Sequence, residues 1–174
     1  MAHNTLLVNG VGQVPYRQGT DGKVTQFELD GKTLITEGDA ASCLLIYGGW
    51  LGTYLRNIEY RNENEFIIQD DIFCSEYSQV SWLLHSAYPI AWVPGEQTIR
   101  IKGEKYQLEG KFETEEPLEA ILTTKFPVDP DLPANQIFDV ASVYPDQYHL
   151  EIKTVNKIES WKPKLTLKLS RIME

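Results

Sequence analysis

Three histidines, His3, His85 and His149, are the side chains of this chain best suited to acid–base or metal chemistry. His3 stands as a polar residue in front of an apolar strand, and a single histidine cannot make a zinc site, which takes three or four ligands. His85 ends the segment Trp82-Leu83-Leu84-His85, in which strand alternation puts it on the face opposite Trp82. That pattern favours a half-buried imidazole bonded to backbone. His149 lies near the start of a predicted strand, which favours a surface or edge role.

The other reactive side chains form no catalytic pattern. Cys43 and Cys74 each lie in a strand-like run and are too few for a disulfide framework, so we predict two buried thiols. Adjacent carboxylates such as Glu115 and Glu116 fit solvated loops better than a paired-carboxylate site. The sequence has no Cys-x-x-Cys pair, His-Glu-x-x-His motif, P-loop or Gly-x-Ser-x-Gly elbow. It therefore assigns no catalytic residue.

Aromatic side chains offer a different chemistry, the stacking of sugar rings. The sequence-based candidates for such platforms are Trp50, Tyr54, Trp92 and Trp161. Core or loop packing competes with this interpretation, most clearly at Trp82 and Trp50. A non-catalytic carbohydrate-binding or structural module is therefore the alternative function.

Charge and hydrophobicity restrict the partners. The 174 residues carry a formal net charge of −9, which argues against nucleic acid because phosphate binding needs clustered lysine and arginine. An acidic polysaccharide would need a local basic patch or help from another domain. No apolar run reaches the roughly 18 residues that indicate a membrane helix, so no membrane partner is expected. Hydrophobic residues make up 42%, enough for a packed core.

The elements that position these residues are strands. Strand signals recur at roughly 8 to 12 residues, whereas the best helical segment, residues 113–121, is interrupted by Pro117. We predict an all-β fold, an antiparallel β-sandwich of stacked sheets with little or no helix, in one domain over residues 1–174. The predicted strands are Thr5–Asn9, Lys23–Asp30, Thr33–Ile35, Ala40–Tyr47, Thr53–Arg61, Glu65–Phe73, Val80–Ser86, Thr98–Lys102, Lys105–Leu108, Ala120–Thr124, Tyr148–Thr154 and Leu165–Ile172.

The first predicted strand, Thr5–Val8, is apolar and lacks a gatekeeping charge, so as an edge strand it could pair with a second copy. Met1-Ala2 leads into it almost directly. We expect from this that the chain forms part of a larger architecture and that homo-oligomers could form through this edge.

The N-terminal segment also carries a family resemblance. His3-Asn4-Thr5-Leu6-Leu7-Val8-Asn9-Gly10, followed by Gly12-Gln13, resembles the His-Asn-Thr-x-x-Val-(Asp/Asn)-Gly segment of the heparinase II/III-like polysaccharide lyases. Gly38-Asp39-Ala40-Ala41 is similar to the family's small-residue strand entry, and Arg56 followed by an apolar run to Asp70 is similar to its next hairpin. Trp82-Leu83-Leu84-His85 resembles its Trp-x-x-His strand. These segments cover roughly residues 3 to 90, in the family's order.

The resemblance implies a C-terminal β-sandwich that is stacked against a helical toroid domain in a protein that cleaves uronic-acid polysaccharides by β-elimination. Most catalytic groups belong to the toroid or to a strand upstream of the His-Asn segment, so the chain alone is expected to be inactive. His3 would be one ligand of a metal, zinc in some members, with its partner ligands upstream. No cofactor is expected for this chain by itself. The parent would bind acidic polysaccharide, in the bacterial periplasm, cytoplasm or outside the cell.

Overall fold

The computed structural model describes residues 5–12, 23–30, 33–39, 49–124 and 147–173, with the backbone alone for 23–30 and 33–39. His3, Cys43 and the predicted strand at 40–47 lie outside the described residues. The strands are β1 (Leu6–Val8), β2 (Lys23–Asp30), β3 (Thr33–Asp39), β4 (Leu51–Asn62), β5 (Glu65–Ser78), β6 (Val80–Ser86), β7 (Ile90–Val93), β8 (Thr98–Lys102), β9 (Tyr106–Glu113), β10 (Leu118–Thr123), β11 (Tyr148–Thr154), β12 (Ile158–Trp161) and β13 (Lys164–Arg171), with one 3-10 turn at Pro94–Glu96.

A smaller antiparallel sheet has the order β1-β6-β11-β10 among the described strands. Its central register places Trp82 of β6 between Leu6 of β1 and Ile152 of β11. Alternation turns these side chains to one face, where they are buried. The strands come from distant parts of the sequence, so their neighbours are set by packing rather than by short turns.

The larger antiparallel sheet follows the order β2-β3-β4-β5-β13-β9-β8-β7 among the described strands, and β12 also pairs with β5. Several of its neighbours are hairpins that the turn residues predict. Asp30 pairs with Thr33 as β2 returns into β3, and Lys102 pairs with Gln107 as β8 returns into β9. These contacts confirm the hairpin interpretation of the Asp30-Gly31 and Gly103-Glu104 signals.

Aromatic side chains fill the space between the two sheets. Phe112 of β9 is fully buried, and its ring centroid lies 5.6 Å from Trp82, 6.1 Å from Trp161 and 6.5 Å from Trp92. Rings at these distances and tilts pack favourably beyond their buried area alone. The two sheets with this shared core confirm the predicted all-β sandwich.

The predicted strand boundaries agree best with the observed ones where polar and apolar residues alternate regularly. The predicted limits of β6, β8 and β11 are those observed. Residues 113–121 form no helix, as the interruption by Pro117 indicates, since β9 ends at Glu113 and β10 begins at Leu118. The short strands β7 and β12 were not predicted, because four residues provide too little alternation to recognise.

Strand β1 is held by a tight turn as well as by β6. Asn9 and Gly10 both have positive φ, 51° and 79°, and Val8 and Val11 exchange backbone hydrogen bonds across the turn. The Asn9 side chain accepts a hydrogen bond from the Gln79 backbone N–H at 3.0 Å. β6 is the single neighbour of β1 among the described strands, so self-association through this edge stays a prediction.

A buried ion pair in the larger sheet is hydrogen-bonded to a side chain of the smaller sheet. Asp70 on β5, with 1% of its side chain exposed, accepts two hydrogen bonds of 2.7 Å from the guanidinium of Arg56 on β4. It also accepts one of 3.0 Å from the indole N–H of Trp82 on β6, which belongs to the other sheet. Arg56 lies 5.8 Å from the Trp82 ring centroid. Each charge and donor in this network therefore has a partner.

The thiol of Cys74 on β5 is buried in the same core and free of any disulfide. Burial raises the pKa of this thiol, and the hydrogen bond with Ser78 offsets the effect in part. The thiolate is the reactive form, so Cys74 should be inert in the folded chain. This confirms the buried-thiol prediction for Cys74.

The Asp70→Ala substitution should destabilise the fold by about 3–5 kcal/mol, because it removes a buried carboxylate that accepts hydrogen bonds from both Arg56 and Trp82. Asp71→Ala is a matched control, since Asp71 pairs with Lys162 at the exposed surface, where an ion pair contributes about 0–1 kcal/mol. Urea unfolding of the two variants gives the comparison. Equal losses of unfolding free energy would contradict the role of Asp70.

In a Cys43→Ser background, the remaining Cys74 thiol should react with a disulfide reagent roughly a hundredfold more slowly when folded than when unfolded. Ser75, the next residue, is exposed. Adding Ser75→Cys and Cys74→Ser to that background supplies a fast-reacting control. Similar rates for the two positions in the folded chain would show that Cys74 is accessible.

Candidate functional site

A pair of histidines lies on the smaller sheet, on the face opposite Trp82. His85 of β6 and His149 of β11 are directly opposed in the antiparallel register. Thr123 of β10 is opposite His149 on the other side. Three adjacent strands thus align these residues in one row, because opposed positions in a sheet project to the same face.

The two imidazoles are stacked. Their ring centroids are 4.4 Å apart with 25° between the planes. The Thr123 hydroxyl lies 3.3 Å from His149 Nδ1, and His149 Nε2 is buried with no hydrogen-bond partner among the described residues. Ser81 and Leu83 on the same face are also buried. The pair is therefore half-buried rather than a surface feature.

Burial disfavours the protonated form of His149. It lowers the pKa of this imidazole, and the negative charge of Glu151 partly opposes that effect. Glu151 itself accepts a 2.6 Å hydrogen bond from Ser81 Oγ. At neutral pH the ring is thus uncharged, the form in which a histidine nitrogen can coordinate a metal or accept a proton.

The structure changes the interpretation of His85 and His149. Each has an ordinary packing role when taken alone, but the fold places them in contact. The relevant signal is the β6–β11 register, which sequence spacing does not provide. His3 lies outside the described residues.

A complete metal site is not assembled by the described part of the chain, which holds no cluster of three or more histidine, cysteine, aspartate or glutamate side chains. The two imidazoles are chemically suitable donors but fewer than the three or four that zinc takes. A metal here needs at least one further ligand.

The prediction of exposed aromatic platforms is wrong for two of the four residues and stays a prediction for the other two. Trp161 and Tyr54 are buried, and Trp50 and Trp92 are partly buried against the core. Trp161 also donates a 2.8 Å hydrogen bond to Thr114 Oγ1. The exposed rings among the described residues are instead Phe73, Tyr77, Tyr88 and Tyr106.

The described residues include no helix long and apolar enough to cross a membrane.

Comparisons of sequence leave the chain without a match, since no family model and no curated protein matches it.

Comparison of structures does find relatives in fold. A heparinase III crystal structure matches with a TM-score of 0.69 and 12% identity over 98% of this chain and 24% of that chain. Heparan sulfate lyase HepC from Pedobacter heparinus matches with a TM-score of 0.68 and 9% identity, over 98% of this chain and 25% of that chain. The chain therefore spans about a quarter of the length of these structures. At the level of the fold, they confirm the resemblance to heparinase II/III-like lyases.

Proposed function

We propose that this chain is the β-sandwich domain of a heparinase II/III-like polysaccharide lyase and is inactive without the rest of that protein. The observation that carries the proposal is the coverage of the structural matches, almost complete for this chain and about a quarter for heparinase III. Independent support comes from sequence segments that follow the family's order, those around His3, Arg56, Asp70 and Trp82. The substrate of the whole protein would be an acidic polysaccharide.

The proposed reaction is β-elimination at a uronic acid. A base removes the proton at C5, the bond between C4 and the glycosidic oxygen breaks, and a C4–C5 double bond forms. An acid protonates the leaving oxygen, while a polar group neutralises the uronate carboxylate. The sequence contains no motif for this full set of roles, which is the reason to expect that the chain needs another domain.

A carbohydrate-binding module is the alternative function. The observation that favours it is the pair of exposed rings at Tyr88 and Tyr106, which lie in one cavity. Binding without cleavage is compatible with both functions, since a lyase domain can also hold its substrate.

The proposed function predicts that the purified chain releases no product absorbing near 232 nm from heparan sulfate, heparin or alginate. A longer protein that includes the residues encoded immediately upstream should release it from one of them. The measurement is continuous absorbance at matched molar concentration, with circular dichroism to show that both proteins are folded.

Product formation by the purified chain would contradict its inactivity. A folded longer protein that gives no unsaturated product from any of these polysaccharides would contradict the lyase assignment. A metal-free sample of each protein serves as a control for metal dependence.

We further propose that His3 is one ligand of a metal and that its partner ligands belong to the residues upstream in the longer protein. The family resemblance, which implies zinc in some members, supports this proposal. Such an ion would brace the β-sandwich domain.

The metal proposal predicts that the longer protein, dialysed against micromolar zinc, retains about one zinc per chain, and that its His3→Ala variant loses most of it. Lys157→Ala, at an exposed position, is the control and should keep it. Metal content is measured by mass spectrometry, with thermal unfolding in zinc or chelator as a second readout. Zinc retention by the His3→Ala variant, or none by the longer protein, would contradict the proposal.

A further inference from the structure

Two exposed tyrosines flank a cavity at one end of the larger sheet. The side chains of Tyr88 and Tyr106 are 45% and 51% exposed. They line a cavity of about 440 Å³ whose apolar wall includes Ile101, Leu108 and Leu169. That volume lies within the range of small-ligand sites. The cavity is formed by β8, β9, β13 and the segment after β6, away from the row of His85, His149 and Thr123.

Gly103 lies at the turn that the two tyrosines share. A Cβ atom added to Gly103 would lie 3.6 Å from the Tyr88 ring and 3.2 Å from the Tyr106 carbonyl oxygen. The Gly103 N–H donates to that oxygen at 2.9 Å. The Tyr88 N–H donates to Ser86 Oγ at 2.9 Å. The backbone at both tyrosines is therefore held, and much of each ring faces solvent.

Positive charge is concentrated beside these rings. Lys105 lines the cavity, and Arg171 is directly opposite Tyr106 in the register of β9 and β13. An adjoining cavity of about 420 Å³ contains Lys105 and Arg171 together. Glu104 lines both cavities and is the opposing charge.

These two cations differ from most others in the described part of the chain. Arg61, Arg100, Lys153, Lys162, Lys164 and Lys168 each pair with an acidic side chain. Within the described residues, neither Lys105 nor Arg171 forms an ion pair. In a chain of net charge −9, this is a local basic patch that is available to an anionic ligand.

We propose that Tyr88, Tyr106, Lys105 and Arg171 form a binding site for an acidic oligosaccharide. The tyrosine rings would pack against the C–H faces of the sugar, while the two cations bind its carboxylate or sulfate groups. The choice of an acidic saccharide as ligand rests on the proposed function. The geometry of the cavity is independent of that function. The site would hold a polysaccharide chain without taking part in its cleavage.

The test is calorimetric titration of the full chain with heparan sulfate oligosaccharides, alginate oligosaccharides and a neutral cello-oligosaccharide. The acidic ligands should bind, and Tyr106→Ala and Lys105→Glu should each weaken their affinity at least tenfold. Tyr77→Ala and Lys162→Glu are matched controls on exposed residues elsewhere, with Tyr77 64% exposed. The affinities of the two control variants should stay within about twofold of the affinity of the parent chain. A surface charge farther from the site than a Debye length of about 10 Å is screened by salt.

Thermal unfolding of each variant confirms that the fold is intact before binding is compared. Affinity for the acidic ligands should also fall as salt increases, because the contacts are ionic. Absence of acidic-saccharide binding, or equal losses in the control variants, would overturn the site. Preference for the neutral ligand, unaffected by Lys105→Glu, would overturn its ligand class. Neither binding result depends on the unsaturated product that absorbs at 232 nm. The absorbance measurement therefore tests the lyase assignment separately from the binding site.

Discussion

The carboxylate of Asp70 is almost wholly removed from water, and it accepts hydrogen bonds from groups of both sheets. A buried ion without partners would cost several kcal/mol, so Arg56 and Trp82 must stay in place whenever the domain is folded. The requirement is geometric as well as energetic. Trp82 can reach Asp70 only when β6 lies across β5 at the observed separation, and the same strand carries His85 on its other face.

The sequence was most informative about strands and hairpins, which depend on the alternation of polar and apolar residues and on turn residues. Clean alternation located β6 and β11, and Asp30-Gly31 and Gly103-Glu104 located two hairpins. Alternation also placed Trp82 and His85 on opposite faces. It could not show that β6 pairs with β11, because that pairing joins residues more than sixty positions apart in the chain and depends on packing.

The candidate sites were less predictable for the same reason. His85 and His149 have ordinary roles when each is considered on its own strand, and only the register brings their rings together. Large aromatic residues were expected to be sugar platforms, yet Trp161 and Tyr54 are used in the core. Tyrosines near turns, Tyr88 and Tyr106, keep their rings exposed. Ring size alone predicts burial better than it predicts binding.

The strand order of the smaller sheet has a consequence for how the domain reaches its folded state. Its neighbours β1, β6 and β11 begin at Leu6, Val80 and Tyr148, so the sheet closes loops that span most of the chain. Long loops must be ordered before such contacts stabilise the fold, and topologies of this kind fold slowly. The hairpins of the larger sheet can form locally and early. During synthesis the smaller sheet must wait for β11, and until then β6 has an unpaired edge open to a chaperone or to another chain.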